Sequence, residues 1–141
     1  MVLARSGQPF TPSVGGDPAN LGHTGYSRAN LVGDPWEGES TTARYFNPAA
    51  FAIPVNSFGN VERNSLRGPG FWNVDVGLQK NVRLRGSSEL QVRVEAFNVF
   101  NHINWRLENA GVAIDNPATV GRITAMNGRP RQLQFGFRLI Y

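Results

Sequence analysis

Two pairs of acidic side chains come closest to a catalytic arrangement in this sequence. Glu37 and Glu39 are near neighbours in the chain, while Asp75 and Glu95 belong to segments that are able to pair side by side. Two carboxylates can divide the general acid and general base roles of glycoside hydrolysis. The first pair lies among turn-forming residues, and the second is better explained by contacts with neighbouring arginines. Since no nucleophile motif such as Gly-x-Ser-x-Gly occurs, we expect no catalytic residues and no enzymatic activity.

The side chains that usually bind metals and cofactors are scarce. The chain has 2 His, which are His23 and His102, and 0 Cys, so a metal site would depend on carboxylates and carbonyls. No Asp-x-Asp-x-Asp-Gly loop occurs, and the glycine-rich stretch Gly15-Gly-Asp-Pro18 lacks the spacing of a phosphate-binding loop. We therefore expect no metal site and no cofactor.

The balance of charges is basic but not concentrated. Lys and Arg number 14 against 10 acidic residues, which gives a net charge of +4. These cations are scattered from Arg5 to Arg138, and Lys80 is the single lysine. A protein that follows a phosphate backbone usually shows a clustered basic patch. We therefore expect no nucleic-acid partner.

The carboxyl-terminal segment, residues 131–141, alternates between apolar and polar side chains. The apolar positions, which share one face of a strand, are Leu133, Phe135, Phe137, Leu139 and Tyr141. The opposite face carries Gln132, Gln134, Gly136 and Arg138, and only Ile140 breaks the pattern. A membrane-spanning strand of an outer-membrane barrel needs about nine to eleven residues of this kind. The edge strand of a soluble sandwich alternates in the same way, so this segment alone does not decide.

A second alternating region predicts a hairpin. Apolar residues recur from Val74 to Leu84 and again from Leu90 to Ala96, on either side of a short turn signal at residues 85–88. Even-numbered residues must pair with even-numbered ones, because a slip by one residue would move the apolar set to the wrong face. Lys80 alone intrudes on the apolar face. A lipid-facing lysine is tolerated near an interface, so we expect Lys80 close to a membrane boundary.

Long connections flank the hairpin. Residues 15–70 are dense in turn formers and read as a long loop, in which 45–51 forms either a helical turn or a strand stub. A second connection follows position 98, with a possible short strand at 120–125. Because the short turn at 85–88 lies between two long loops, a barrel would place that turn in the periplasm and the loops outside the cell. Aromatic residues near the predicted strand ends suit the girdles of such barrels: Phe71, Trp72, Phe97, Phe100, Trp105 and Tyr141.

Charged side chains fall on the polar faces of the predicted strands. They are Arg83, Arg93, Glu95 and Arg138. In a barrel these positions would line the interior, where they would bond to one another or to a plug. We expect structural contacts there rather than transport chemistry.

Five phrases, in this order, resemble the carboxyl-terminal end of TonB-dependent outer-membrane receptors, and more narrowly the Oar-like group: Ser6-Gly-Gln-Pro-Phe-Thr11, Arg67-Gly-Pro-Gly-Phe71, Val94-Glu-Ala-Phe-Asn-Val-Phe-Asn-His102, Gly121-Arg-Ile-Thr124 and Pro130-Arg-Gln-Leu-Gln-Phe135. The resemblance covers nearly the whole chain. It implies an all-β, antiparallel fold in which residues 1–141 form about the last four strands of a transmembrane β-barrel with long loops. The strands would run over about 72–84, 89–98 and 131–141.

The resemblance also implies partners and a location in the cell outer membrane. The chain would contact membrane lipid, the remainder of the barrel and its plug, and it would meet TonB only through the part upstream. The function implied is uptake or binding of a bulky ligand at the cell surface. The terminal aromatic pattern resembles the signal read by the barrel-assembly machinery, which carries over onto Leu133, Phe135, Phe137, Leu139 and Tyr141.

The first ten residues contain no export signal, so an outer-membrane role requires that the chain be the tail of a longer protein. Val2-Leu-Ala-Arg5 fits that expectation as the end of a strand. Two alternatives stay open. One is a soluble β-sandwich that binds surfaces or carbohydrates through Trp36, Trp72 and Trp105. The other is a truncated remnant without a function of its own.

Overall fold

A computed structural model describes residues 1–22 and 25–141, in two compact units. The strands, in chain order, are β1 (Val2–Arg5), β2 (Pro9–Phe10), β3 (Ser13–Gly15), β4 (Tyr26–Arg28), β5 (Asn30–Leu31), β6 (Phe51–Ala52), β7 (Leu66–Arg67), β8 (Phe71–Val74), β9 (Val76–Arg83), β10 (Glu89–Phe97), β11 (Trp105–Arg106), β12 (Ala125–Met126) and β13 (Gln132–Ile140). Helical structure in the described ranges is limited to a 3-10 turn at Pro48–Ala50 and a short helix α1 at Asn109–Val112. The prediction of an all-β, antiparallel chain is confirmed.

The first unit, residues 1–5, 71–104 and 127–141, contains the long strands. Three of them form an antiparallel sheet in the order β13-β10-β9. Strand β8 precedes β9 in the chain, with only Asp75 between them. Strand β8 pairs with β1 in an antiparallel arrangement. The backbone N–H of Asp75 continues that pairing, since it donates to the Met1 carbonyl at 2.8 Å.

The register of the sheet follows the alternation of the sequence. Val94 stands opposite Leu78 on one side and Phe135 on the other, and Val92 stands between Lys80 and Phe137. The predicted pairing of even with even residues in the hairpin is therefore confirmed. Apart from Phe97 and Ile140, the apolar positions of the three strands fall on one face because strand side chains alternate with a period of two.

The second unit, residues 6–70 and 105–126, has a hydrophobic core of its own. Buried side chains of this core are Val14, Ala29, Phe46, Ala50, Phe51, Val61 and Leu66. Short strand pairs hold the unit together: β2 with β7, β3 with β4, β5 with β6, and β11 with β12. Residues 15–70 were expected to form a long loop, whereas most of this stretch belongs to a packed structure. Its core residues come from short strands and irregular segments that are scattered along the chain, so they leave no periodic pattern in the sequence.

The structure also resolves two smaller expectations. Within 45–51, both alternatives are present in succession, because the 3-10 turn at Pro48–Ala50 leads into β6. The Asn47 side chain caps that turn by accepting from the Ala49 N–H at 3.2 Å. The expected strand at 120–125 is wrong over most of its length, since Val120 closes a turn onto the Asn116 carbonyl and only Ala125 enters β12. Among the described residues, no helix is long and apolar enough to cross a membrane.

Candidate functional site

The apolar face of the three-stranded sheet is exposed along the outer strands β9 and β13 and half-buried along the central strand β10. Its members are Val76, Leu78, Val82, Leu90, Val92, Val94, Ala96, Leu133, Phe135, Phe137 and Leu139, with Lys80 among them. Leu78 is 70% exposed and Phe137 is 71% exposed. A contiguous apolar surface of this kind on a sheet marks contact with a protein or a membrane. In a soluble sandwich, by contrast, this face would be buried against a second sheet.

A cluster of rings lies at one end of this face. Trp72 stacks on His102 with ring centroids 4.2 Å apart and meets Phe100 at 5.8 Å. We call these three residues the tryptophan cluster. From position 72 to position 80 a strand advances about 26 Å, or about 20 Å along the normal of a bilayer if it tilts by about 40°. The rise along the membrane normal from the tryptophan cluster to Lys80 is therefore close to the height of the apolar band of a barrel, which is about 25 Å. The apolar row Val82, Leu90 and Leu139 lies beyond Lys80.

The predicted aromatic girdle is only partly realised. Trp72 and Phe100 belong to the tryptophan cluster, and Tyr141 follows β13 at 96% exposure. Phe97 stands opposite Gln132, so it lies on the polar face of the sheet. Phe71 also lines a pocket formed by polar-face side chains. Nearness to a strand end therefore does not determine the face, since Phe71 and Phe97 are odd-numbered positions on the polar side.

The four charged residues predicted to face a barrel interior do share the polar face. Arg93 approaches Glu95, with 3.5 Å from Nε to Oε2. Arg83 stands opposite Glu89, and Arg138 stands opposite Gln91. The polar face is therefore lined with charges and amides, and the apolar face opposite it is exposed. A strand pair with this split suits a sheet that separates lipid from an aqueous interior.

The terminal strand β13 carries the predicted assembly signal. Leu133, Phe135, Phe137 and Leu139 lie on the apolar face, and Tyr141 ends the chain beyond the last paired residue, Ile140. Strand β13 pairs with β10 along one edge, and its other edge has no strand partner within 1–22 and 25–141. The unpaired backbone N–H and C=O groups at this edge can form hydrogen bonds with a further strand.

An asparagine network holds the loop end of the sheet. Asn98, with φ of 50° and 6% exposure, donates from Nδ2 to the carbonyls of His102 and Arg129, both at 3.0 Å. Its Oδ1 accepts from the His102 N–H at 3.0 Å, and its own N–H donates to Asp75 Oδ1 at 2.9 Å. The Asn104 side chain bonds to both backbone groups of Trp72. Its Oδ1 accepts from the Trp72 N–H at 2.8 Å, and its Nδ2 donates to the Trp72 carbonyl at 2.9 Å.

Beside this network lies a pocket of about 430 Å³, which we call the amide pocket. Its residues from the strands and from the β8–β9 junction are Phe71, Asn73, Asp75, Phe97, Gln132 and Gln134. Its loop residues are Asn98, Asn104, Gly128, Arg129 and Pro130. The pocket sits at the end of the sheet away from the 85–88 turn, because Phe97 and Gln132 form the last pair of β10 with β13. Sequence analysis missed this site, since its residues come from three separate segments.

Three of the four acids of the candidate pairs, Glu37, Asp75 and Glu95, have structural contacts. Glu37 Oε2 accepts from Asn47 Nδ2 at 3.3 Å, Asp75 Oδ1 accepts from Asn73 Nδ2 at 2.8 Å, and Glu95 contacts Arg93. No group of three or more His, Cys, Asp or Glu that could hold a metal occurs in the part of the chain that the structure describes. His23 of the metal expectation lies outside the described residues.

The tryptophans of the sandwich alternative have separate surroundings. Trp72 belongs to the tryptophan cluster of the first unit, whereas Trp36 meets Tyr45 edge-on in the second unit, with centroids 5.8 Å apart. Trp105 pairs through its backbone with Met126.

Comparison with known proteins agrees with the division of faces. A family model described as an outer membrane beta barrel domain matches residues 1–134. Because the match spans nearly the whole chain, this protein belongs to the outer membrane beta barrel domain family, and an outer-membrane location is indicated. No curated protein and no solved structure matches the chain.

Proposed function

We propose that this chain is the carboxyl-terminal part of the barrel of a TonB-dependent receptor, related to the Oar-like group, that takes up or binds a bulky ligand at the cell surface. The observation that carries the proposal is the two-faced sheet, exposed and apolar on one side and lined with amides and charges on the other. The five ordered phrases from Ser6 to Phe135 support the narrower assignment to TonB-dependent receptors.

In this proposal the apolar face contacts lipid and the polar face lines the interior. The free edges of β13 and β1 pair with strands of the remaining barrel, which also supplies the plug and the segment that contacts TonB. The 85–88 turn lies in the periplasm, and the long connections lie outside the cell. Leu133, Phe135, Phe137, Leu139 and Tyr141 present the terminal pattern to the barrel-assembly machinery.

The role proposed for this chain is not catalytic. The acids that could have formed a pair, such as Asp75 and Glu95, are engaged in hydrogen bonds and an ion pair. Arg83, Arg93, Glu95 and Arg138 would shape the polar interior and bond with the plug. No cofactor, metal or nucleic acid enters the proposal.

The DNA upstream of the Met1 codon gives the first test. An open frame that encodes further alternating strands, a plug and a signal peptide is expected. A nearby in-frame stop codon, followed by a separate ribosome-binding site, would overturn the proposal and favour the remnant.

A second test measures coupling without knowledge of the ligand. The full-length protein, purified in detergent from outer membranes, is titrated with the periplasmic domain of the host's TonB. Saturable binding is expected, and it should disappear when the amino-terminal segment of the plug is deleted. A folded barrel that never binds this domain would belong to another class of outer-membrane protein.

A further inference from the structure

We propose that the amide pocket binds one neutral sugar unit of an oligosaccharide. This inference rests on the proposed receptor function, because it names the class of ligand that such a receptor would recognise. The pocket lies on the polar face at the loop end of the sheet, which is the end that would face the cell exterior. A ligand entering from outside would therefore reach it before any other part of the described polar face.

The wall of the pocket is fixed before any ligand arrives. Segment 127–131 is bonded at three points: the Asn127 N–H donates to the Asn104 carbonyl at 2.7 Å, and Asn98 Nδ2 donates to the Arg129 carbonyl at 3.0 Å. The third bond joins the Arg131 N–H to Asn101 Oδ1 at 3.1 Å. Small-molecule sites are usually preformed in this manner, since a fixed wall loses little conformational entropy on binding.

Two amide side chains on the floor have hydrogen-bonding capacity to spare. Across residues 1–22 and 25–141, neither the Gln132 nor the Gln134 side chain is hydrogen-bonded to a protein group, although both line the pocket. Each amide offers two donor hydrogens and an acceptor oxygen. A sugar hydroxyl is likewise both donor and acceptor, so vicinal hydroxyls match a pair of amides better than a purely anionic or cationic group does.

The charge of the lining favours a neutral ligand. Asp75 supplies the carboxylate and Arg129 the guanidinium, while the other polar lining residues are amides. These two formal charges cancel. Asp75 Oδ1 is already engaged by Asn73 Nδ2 at 2.8 Å and by the Asn98 N–H at 2.9 Å. A charged ligand would lose its hydration without meeting a surplus of opposite charge.

Aromatic rings complete the match to a sugar. Phe71 and Phe97 both line the pocket, and the Phe97 ring is exposed. The C–H bonds on the apolar side of a hexose carry partial positive charge, which suits the negative face of an aromatic ring. The pocket volume of about 430 Å³ lies within the usual range of small-molecule sites, about 300 to 1,000 Å³.

A peptide fits this position less well. Extended peptides bind sheets mainly by adding a strand to an edge, where unpaired backbone groups are available. The amide pocket is on the face of the sheet, and the β10 residue that lines it, Phe97, is paired with Gln132 of β13. Recognition on this face would therefore depend mainly on side chains.

The experiment uses the full-length protein purified in detergent from outer membranes. Maltotriose, cellotriose and mannotriose are titrated by calorimetry, with triglycine as the neutral peptide probe. The variants are the double substitution Gln132→Ala with Gln134→Ala, and the isosteric Gln134→Glu. Gln79→Ala is the matched control, because it removes an amide from the same face outside the pocket. The gel mobility of unheated samples reports whether each barrel is folded.

We expect at least one trisaccharide to bind, with affinity lowered about 25-fold in the double Ala variant, which is about fivefold for each amide, and unchanged in Gln79→Ala. Gln134→Glu keeps the size of the side chain and should weaken binding without affecting the fold. Equal binding by all variants, binding of triglycine in place of sugars, or no binding to the folded wild type would each overturn the inference. TonB binding measured on the same samples separates this outcome from failure of the receptor assignment.

Discussion

The backbone N–H of Asn98 donates to Oδ1 of Asp75 at 2.9 Å, which ties the end of β10 to the junction of β8 and β9. Asn98 holds φ at 50°, in the left-handed region, and its side chain bonds both His102 and Arg129. One residue therefore fixes the end of a strand, the turn that follows it and the wall of the amide pocket.

Replacing Asn98 with Ala should destabilise the folded protein by about 2 to 4 kcal/mol, because three side-chain hydrogen bonds are lost and buried partners are left unsatisfied. Asn98→Gly loses the same bonds but adopts positive φ freely, so it should be less harmful than Ala by about 1 kcal/mol. Urea unfolding in detergent, followed by tryptophan fluorescence, measures both. Changes below about 0.5 kcal/mol in both variants would show that the network does not support the fold.

A pair of neighbouring substitutions on β9 tests which face meets lipid. Leu78→Arg puts a charge on the apolar face and should cost about 2 to 4 kcal/mol in a bilayer, whereas Gln79→Arg on the polar face should cost less than about 1 kcal/mol. Folding from urea into lipid vesicles measures both. Leu78 is already 70% exposed in this chain. Equal and small effects of Leu78→Arg and Gln79→Arg would therefore show that the apolar face remains in water.

The terminal residue tests the assembly signal. Deleting Tyr141 from the full-length protein should lower its outer-membrane level several-fold, while Tyr141→Phe, which retains the ring, should leave the level near that of the wild type. Immunoblots of outer-membrane fractions give the measurement. Tyr141 lies beyond the last paired residue, Ile140, so its removal leaves the β10–β13 ladder intact. An unchanged level after the deletion would argue against a recognition role.

Tyr45, in the second unit, gives a prediction for alkaline pH. Its hydroxyl donates to the Arg67 carbonyl at 3.1 Å, and burial raises the pKa of the phenol above its ordinary value of 10.0. The folded state thus holds the proton more tightly than the unfolded state. The stability from this group is fully present below pH 10.0 and decreases as pH rises through the folded pKa. Tyr45→Phe should flatten this decline in urea unfolding between pH 9 and pH 11, and an unchanged slope would contradict it.

The sequence was sufficient for the features that depend on strand period. Leu133 to Leu139 and Val74 to Leu84 alternate regularly, so strand type, faces and register could all be predicted from them. The amide pocket could not be predicted from the sequence, because Asp75, Asn98 and Arg129 come together only after the strands have paired. The packed second unit was also missed. Phe46 and Val61 belong to its core, but each comes from a different irregular turn.

The second unit also changes the entropy of loop closure. Strand β1 must find β8 across the whole of Ser6–Gly70, and a long flexible connection lowers the chance of that encounter. Within this segment, however, β2 pairs with β7, which holds Phe10 opposite Leu66. Once β2 and β7 have paired, only residues 6–8 separate β2 from β1, and only residues 68–70 separate β7 from β8. Leu66→Asp disrupts the pairing of β2 with β7, so we expect it to slow the pairing of Leu3 with Asn73 in time-resolved cysteine cross-linking. An unchanged rate would show that β1 and β8 pair without help from the segment between them.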